Sequence, residues 1–443
     1  MLIASIYDSK VARAGDRDRP PETGWLPTAE AARRLGIKRE TLYAYVSRGM
    51  LTRRRGPGSR ESRFDPAEVA RLAERTRSGG RAGSLEVVID SSLTLLDPAG
   101  RLWYRGKDAE AACLEMSFEE IAEWLWIGTP TADAASRPPF ATAGAASRPV
   151  FAAPAPVLAV ARRAAAALDP ASPLIDRLRV GLAAAATADP LRFDRRPDAV
   201  AAAGRRIISV LVDTLPRQPR STGGPTVGDE KARIADRLWA RLCPNPGSLD
   251  QIAVLNASLV LLADHEMASS TLAARVAAST WADPYLVVTA GLAILGGPLH
   301  GGVGDRIVPM LHDAVERGAA EAIAARWRLG EQVAGFGHLV YTSRDPRAEA
   351  LWPLLQGAWP DDPVISATGD IVAAVTAHGA TFPNVDLMLA ALVASAGMVQ
   401  GSAEVIFSIA RTAGWLAHAI EEYEHRLRFR LRAAYLGPAP ERS

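Results

Sequence analysis

Histidine is missing from the first 264 residues of this 443-residue chain, and all seven lie between His265 and His425. Chemistry that needs an imidazole must therefore belong to the C-terminal half. Cysteine is scarce too, with only Cys113 and Cys243. That excludes a disulfide framework and fits a reducing cytoplasm. With no cysteine cluster, no metal site is expected. Long apolar runs are also lacking. The longest, near residues 387–399, is shorter than the roughly 18–20 residues that span a bilayer, and reads as a buried helix. Charge enters at Asp8 and Lys10, too soon for a secretory signal. A soluble cytoplasmic protein without membrane contact is the expectation.

What is present is a chain with 48% hydrophobic residues, enough for a large core and more than one domain. Its net charge of +2 is unevenly spread: residues 1–80 hold 17 basic against 10 acidic side chains. A basic module is thus joined to a mildly acidic body, which points to an anionic partner for the N-terminal part. Residues 1–25 are polar and expected to be disordered. Residues 26–77 read as a compact helical module, and the Gly/Ser-rich residues 78–84 as a linker. Residues 85–90 and 102–106 read as two short strands able to pair. Ser117 and Glu120 have the spacing of a helix capping box. Residues 131–156, rich in Ala, Pro and Ser, read as a loop. Ala/Leu/Val stretches at 157–168, 180–188, 198–214, 251–280, 285–296 and 387–415 predict helices. With no series of alternating segments, the expected fold class is mainly α.

In the module, residues 28–37 read as a capped helix and residues 38–48 as a second one after a tight turn. Ala32, Leu35, Ile37, Leu42 and Val46 would form their shared core. Residues 53–64 suit a basic hairpin, and residues 65–68 would open a third helix. Between Arg33 and Arg63 stand ten basic and two acidic residues, enough for several phosphate contacts. The pattern resembles the winged helix-turn-helix of mercury-resistance regulators and excisionases. That resemblance implies DNA contact through residues 26–77, with Arg39, Thr41 and Tyr43 on the helix that would enter a groove, and Arg53, Arg54 and Arg55 on the wing. The alternative is a protein-contact module whose arginines are only solvated.

In the body, two histidines sit among glycines, in Gly297-Pro298-Leu299-His300-Gly301-Gly302 and Gly335-Phe336-Gly337-His338. An aspartate follows in Pro383-Asn384-Val385-Asp386. Glycine lets backbone approach a ligand, so such a histidine is presented to a cleft. Leu262-Ala263-Asp264-His265-Glu266, Asp345-Pro346-Arg347 and Ala410-Arg411-Thr412-Ala413-Gly414-Trp415 complete a series. In this order the motifs resemble those of the citrate synthase family, and the similarity spans roughly residues 85–437. It implies an all-α homodimer. The large domain would comprise residues 85–300 and 402–437, and the small domain residues 301–401.

The chemistry would be condensation of acetyl-CoA with oxaloacetate to citrate and free CoA. The CoA thioester would be a co-substrate, and no cofactor would be tightly bound. A carboxylate with an ordinary pKa of about 4 is a poor base for a thioester methyl group unless the enol is stabilised as it forms and water is excluded. Asp386 is the candidate base. The resemblance gives His300 the thioester oxygen and His338 the oxo-acid carbonyl. Arg347, Arg411 and His265 would hold the oxo acid, joined by Arg430 from across the dimer. Planar guanidinium forks suit its two carboxylates. Gly335, Phe336, Gly337 and Arg344 would face CoA. His312, His378, His418 and His425 have no motif context.

Several positions depart from the family pattern. Leu262 stands where many relatives have histidine, and Leu339 and Thr342 where basic residues are common. Gly301–Asp305 replaces the usual Ala-Asn-Glu ending, residues 377–381 lack a lysine, and Leu431 replaces a proline. Losing cations near CoA leaves propionyl-CoA open as the acyl donor, giving 2-methylcitrate. It also leaves open a transcriptional regulator whose body senses a metabolite.

Overall fold

A computed structural model describes residues 25–35, 37, 42–43, 45–46, 51–55, 62–66, 68–69, 89–97, 100–128, 150–219, 232–297, 304–379, 381–425 and 429, leaving out the side chains of residues 55 and 305. The chain divides into two compact units, residues 1–90 and 91–443.

The first unit contains β1 (Leu26–Pro27), α1 (Thr28–Leu35), β2 (Arg53–Arg55) and β3 (Ser62–Phe64). β3 pairs antiparallel with both other strands, giving the order β1-β3-β2. Period-two alternation sends Ser62 and Phe64 inward and Arg63 outward. The Thr28 hydroxyl donates to the Ser62 carbonyl at 3.0 Å and ties the helix to the sheet. Leu26, Ala31, Leu35, Leu42, Leu51, Phe64 and Val69 form the core, with Ile37 and Val46 packed against it. Residues 42–43 and 45–46 are helical, as are residues 66 and 68–69.

The second unit opens with a three-stranded meander, β4 (Thr94–Leu96), β5 (Leu102–Tyr104) and β6 (Lys107–Asp108). Here the strand expected at residues 85–90 must be corrected. The partner of β5 is β4, in the register Leu95↔Trp103. Residues 89–90 take no strand conformation, and residues 85–88 lie outside the described residues. A tight turn makes the difference. The Asp97 N–H donates to the Arg101 carbonyl and the Gly100 N–H to the Asp97 carbonyl, with Gly100 at φ +78°. A short hairpin closes at less entropic cost than a long connection.

Helices follow: α2 (Ala109–Glu115), α3 (Phe118–Ile127), α4 (Ala155–Ala166), α5 (Leu174–Ala188), α6 (Pro197–Thr214), α7 (Ile234–Leu242), α8 (Leu249–Leu262) and α9 (Ser269–Ser279). Then come α10 (Pro284–Leu295), α11 (Gly304–Arg317), α12 (Ala319–Arg328), α13 (Pro346–Ala358), α14 (Pro363–His378), α15 (Val385–Ser395) and α16 (Ser402–His425). The capping box of Ser117 and Glu120 is formed at the start of α3. The loop expected at 131–156 falls on residues 131–149, outside the described residues, and on 150–154, which lack regular structure.

Two stretches that read as continuous helices are interrupted. Residues 251–280 break between α8 and α9, where Glu266 adopts φ +53°. Residues 387–415 break between α15 and α16, where Gly397 and Gly401 take φ +60° and +81°. Left-handed backbone ends a helix, and glycine adopts it without a Cβ penalty. Glu266 has no such freedom, and the Asp264 carboxylate accepts its N–H at 3.2 Å.

Apart from half-buried Glu404, α16 is buried from Ser402 to Tyr423 and packs against α3, α6, α8, α9 and α10. α11, α12, α14 and α15 pack on one another, and α13 joins α15 to α8. Gly414 of α16 lets the α8–α9 turn touch the helix: its N–H donates to the Ala263 carbonyl at 2.9 Å. A Cβ there would meet Asp264 Oδ1 at 2.2 Å and the Ala263 carbonyl oxygen at 2.5 Å. Replacing Gly414 with Ala should therefore destabilise the fold by about 1–3 kcal/mol, the usual cost of overpacking. Urea unfolding midpoints of the two proteins would measure it, and an unchanged midpoint would refute this account of the contact.

Candidate active site

Three backbone segments converge in the second unit. The first is the α8–α9 turn, carrying Asp264 and buried His265. The second is the loop 335–345 before α13, and the third is the loop 382–384 before α15. The last two are joined by backbone pairing. Phe336 bridges Pro383, the Gly337 N–H donates to the Phe382 carbonyl at 2.8 Å, and the Asn384 N–H to the Gly335 carbonyl at 2.9 Å. Gly335, at φ +92°, lies where a Cβ would come within 2.9 Å of the Leu387 side chain, so glycine is required for both conformation and space. Asn384 finishes the seam. Its amide Nδ2 donates to the Gly337 carbonyl at 2.9 Å, and its Oδ1 caps α15 by accepting the N–H groups of Asp386 and Leu387. The segment carrying His338 and the helix start carrying Asp386 are thereby fixed to each other.

His338 Nδ1 accepts the N–H groups of Val340 (3.0 Å) and Tyr341 (3.3 Å). An imidazole whose Nδ1 accepts keeps its proton on Nε2, so the ring offers one N–H donor on its far side. Burial, with the nearby charges of Arg347 and Arg411, lowers its pKa to about 4. The His265 ring stands 5.1 Å from that of His338, and its Nε2 shares a hydrogen bond with the Tyr341 hydroxyl at 3.0 Å. Desolvation, then the two arginines, also push His265 well below its usual range. Burial raises the Tyr341 hydroxyl to about 12.

The two arginines differ in pairing. Buried Arg347 forks onto Asp345, Nε to Oδ1 at 2.9 Å and Nη2 to Oδ2 at 2.8 Å. Asp345 also caps α13 and accepts the Val385 N–H at 3.0 Å. Arg411 lies on α16, where its Nε donates to the Leu262 carbonyl at 2.9 Å and its guanidinium stands 4.7 Å above the Phe407 ring. Its Nη2 is buried with no hydrogen-bond partner among the described residues. Desolvation lowers its pKa to about 10 although Asp264 and Tyr104 favour the charge. A buried guanidinium with a free donor is costly unless an anion meets it. Asp386 keeps part of its surface open, yet desolvation pushes its carboxyl up to about 6 against the pull of Arg347 and Arg411.

The structure thus brings His265, His338, Asp386, Arg347 and Arg411 into one electrostatically connected group. Gly335, Phe336 and Gly337 form its backbone seam. Arg344 lies on the same loop, but its guanidinium is engaged by Glu349 and stands 3.6 Å from Glu110. His300, Arg430, Arg39 and Thr41 fall outside the described residues. In the first unit Arg53 lies over Tyr43 (5.8 Å) and Arg54 over Trp25 (5.0 Å), while Arg55 is described only by its backbone in β2. Sequence reasoning missed Tyr341 and Asn384. Tyr341 lies three residues after His338, and Asn384 has the N-cap residue type two positions before Asp386. Among the described residues no group of His, Cys, Asp and Glu could hold a metal ion, and no helix is long and apolar enough to cross a membrane.

Comparison with known proteins places this geometry. Residues 84–432 match the family model described as citrate synthase, C-terminal domain. Citrate synthase 2 of Bacillus subtilis is 34% identical over 224 residues, 48% of this chain and 59% of that protein. The citrate synthase of Haloferax volcanii is 30% identical over 79% of this chain and 94% of that protein. The citrate/2-methylcitrate synthase of B. subtilis is 33% identical over 60% of this chain and 73% of that protein. The crystal structure of citrate synthase from Thermotoga maritima superposes with a TM-score of 0.64 at 25% identity, covering 83% of this chain and 97% of that one. The chain belongs to the citrate synthase family. It is an enzyme of the citrate or 2-methylcitrate synthase type, and the family's co-substrate is a coenzyme A thioester, with no tightly bound cofactor. Residues 1–83 lie outside the match.

The Asp386 shift has a consequence for stability. Its folded pKa is raised above the unfolded value of about 3.9, so it favours folding below about pH 4 and loses that contribution as pH rises through about 6. Ionised Asp386 then costs about 1–2 kcal/mol, less than the full shift because its open edge is hydrated. Asp386→Asn should be more stable than the parent at pH 7–8, and the advantage should vanish near pH 4. Urea melts across that range check it; a pH-independent difference would refute the shift.

Proposed function

We propose that this chain condenses acetyl-CoA with oxaloacetate, giving citrate and free CoA. One observation carries the reading: Arg411 presents a buried donor without an acceptor among the described residues, beside Arg347 and two histidines whose pKa values burial and those arginines depress. Such a site offers a cationic donor with an unmet hydrogen bond and suits a dicarboxylate. Arg347, Arg411 and His265 would hold the oxo acid, with the His338 Nε2–H directed to its carbonyl oxygen. A neutral donor of this kind polarises a carbonyl without trapping the product alkoxide.

Asp386 would take a proton from the thioester methyl group. A carboxyl near pKa 6 is better matched to that step than one near 4. His300, by its family motif, would donate to the thioester oxygen as the enol forms. The enol carbon then bonds to the oxo carbon. The neutral His338 would hand its Nε2 proton to the alkoxide as it forms, and the proton taken up by Asp386 would return to His338 through solvent. Water cleaves the thioester, releasing CoA. In this reading the chain is a homodimer and Arg430 of each subunit completes its partner's site. Gly335, Phe336 and Gly337 would border CoA, and Arg344 would have to exchange Glu349 for a phosphate.

The test is thiol release by the purified protein, with oxaloacetate and either acetyl-CoA or propionyl-CoA. Release dependent on both substrates, faster with acetyl-CoA, is expected; faster release with propionyl-CoA would make it a 2-methylcitrate synthase. Asp386→Ala should lower turnover at least about 100-fold, the usual scale of a lost general base, while oxaloacetate still binds. Retained turnover would remove Asp386 from this role.

A second reading concerns residues 26–77. Supporting it is the β2–β3 hairpin, which carries Arg53, Arg54, Arg55 and outward-facing Arg63 on a unit with its own core. We propose that this module binds duplex DNA. Gel-shift affinity should fall steeply between about 50 and 200 mM salt and weaken on Arg53→Ala/Arg54→Ala substitution. No shift at low salt would leave the module as a protein contact.

A further inference from the structure

The buried side of α16 carries a polar chain that the proposed chemistry does not use. It begins at Arg275 of α9, which is fully buried. Its Nε donates to Glu422 at 3.0 Å, and its Nη1 lies 2.9 Å from both Glu421 Oε2 and His418 Nδ1. Glu421 is itself anchored, accepting the Ser92 N–H and the hydroxyls of Ser91 and Ser92 at 2.8–2.9 Å. An arginine can only donate, so His418 Nδ1 must accept, leaving the ring proton on Nε2. That nitrogen stands 3.3 Å from Asp264 Oδ2.

Asp264 is fully buried and occupies the key position of the α8–α9 turn. The same Oδ2 accepts the Thr94 hydroxyl and the Glu266 N–H, the latter from the residue held at φ +53°. Its Oδ1 faces the space left by Gly414 and has no hydrogen-bond partner among the described residues. The next residue along the chain is His265. Arg411 is two helical turns before His418 on the same side of α16, and donates to the Leu262 carbonyl at the start of this turn. The histidine thus braces the segment to which both oxo-acid contacts of the proposed reaction are attached, without reaching the open side of the site.

We propose that His418 is a positioning residue for the oxo-acid site. Its Nε2–H holds the Asp264 carboxylate, and Asp264 holds the strained turn that sets His265 and the seat of Arg411. The role rests on the functional reading above, since it is a claim about how oxaloacetate is bound. Two side chains separate its halves. In His418→Gln the amide nitrogen lies near the Nε2 position and can still donate to Asp264. In His418→Asn the amide lies near Nδ1, so contact with Arg275 is kept and Asp264 is lost.

The experiment is calorimetric titration with oxaloacetate, alongside KM for each substrate and a thermal melt, on the full chain and both variants. His418→Asn should weaken oxaloacetate binding and raise its KM about ten-fold or more, leaving the acyl-CoA KM in place. His418→Gln should recover most of the affinity. Equal behaviour of the two variants, or a parallel rise in both KM values with a collapsed melt, would overturn the positioning role and make His418 a plain core residue. Oxaloacetate binding by the parent with no change in His418→Asn would overturn it alone. A parent that binds no oxaloacetate would overturn the functional reading as well.

Discussion

α16 is buried along almost its whole length, and that burial is the constraint on which the site depends. A polar group taken out of water must find a partner inside the protein. Arg411, His418, Glu421 and Glu422 all lie on this helix, and other elements supply each with at least one partner. Arg275 comes from α9, Asp264 from the α8–α9 turn and Ser91 and Ser92 from the segment before β4. The helix is thus fixed in rotation and height by directional bonds as well as by packing. Glycines permit the close contacts: Gly414 admits Asp264, and Gly291 of α10 admits the Trp415 ring, which a Cβ would meet at 2.5 Å.

One unmatched donor lies at the site end of this network. Arg347 has its aspartate, and Arg275 has two glutamates, but Arg411 keeps a buried donor free. Desolvation, with the two arginines behind it, lowers the proton affinity of both histidines, and desolvation raises the Asp386 carboxyl against the arginines' pull. A neutral donor and a raised carboxylate are what enolisation at neutral pH asks of a protein. The unmet donor of Arg411 costs stability at a place where a bound carboxylate would supply the missing acceptor.

Much of the body was legible because its motifs are local. Ser117 and Glu120 cap α3 as their spacing required, and the mainly helical class follows from the Ala/Leu/Val stretches. The glycines around His338 announce left-handed backbone, which Gly335 and Gly337 adopt. Other features were not legible. The strand that pairs with Leu102–Tyr104 is Thr94–Leu96 rather than a segment of residues 85–90, because the turn at Gly100 sets the register. The break at 396–401 lies in mostly apolar composition, and the one at 263–268 in a polar stretch that holds no glycine or proline. His418 read as an isolated histidine, since its partners are 143 and 154 residues away.

The sequence by itself determined which residue types stand in which local setting: the glycine-flanked histidines, the Asn-Val-Asp at a helix start, the basic N-terminal segment and the family these patterns define. Those are short-range properties, governed by backbone freedom, capping and periodicity. Only the tertiary structure decided which charges are paired and which are left over. Arg347 meets Asp345 two residues away, a pairing within local reach, whereas Arg411 is brought beside Asp264 and the Leu262 carbonyl only by the packing of helices distant in the chain. The proton affinities of His265, His338 and Asp386 follow from that packing, because desolvation and Coulomb interaction depend on position in space rather than position in the chain.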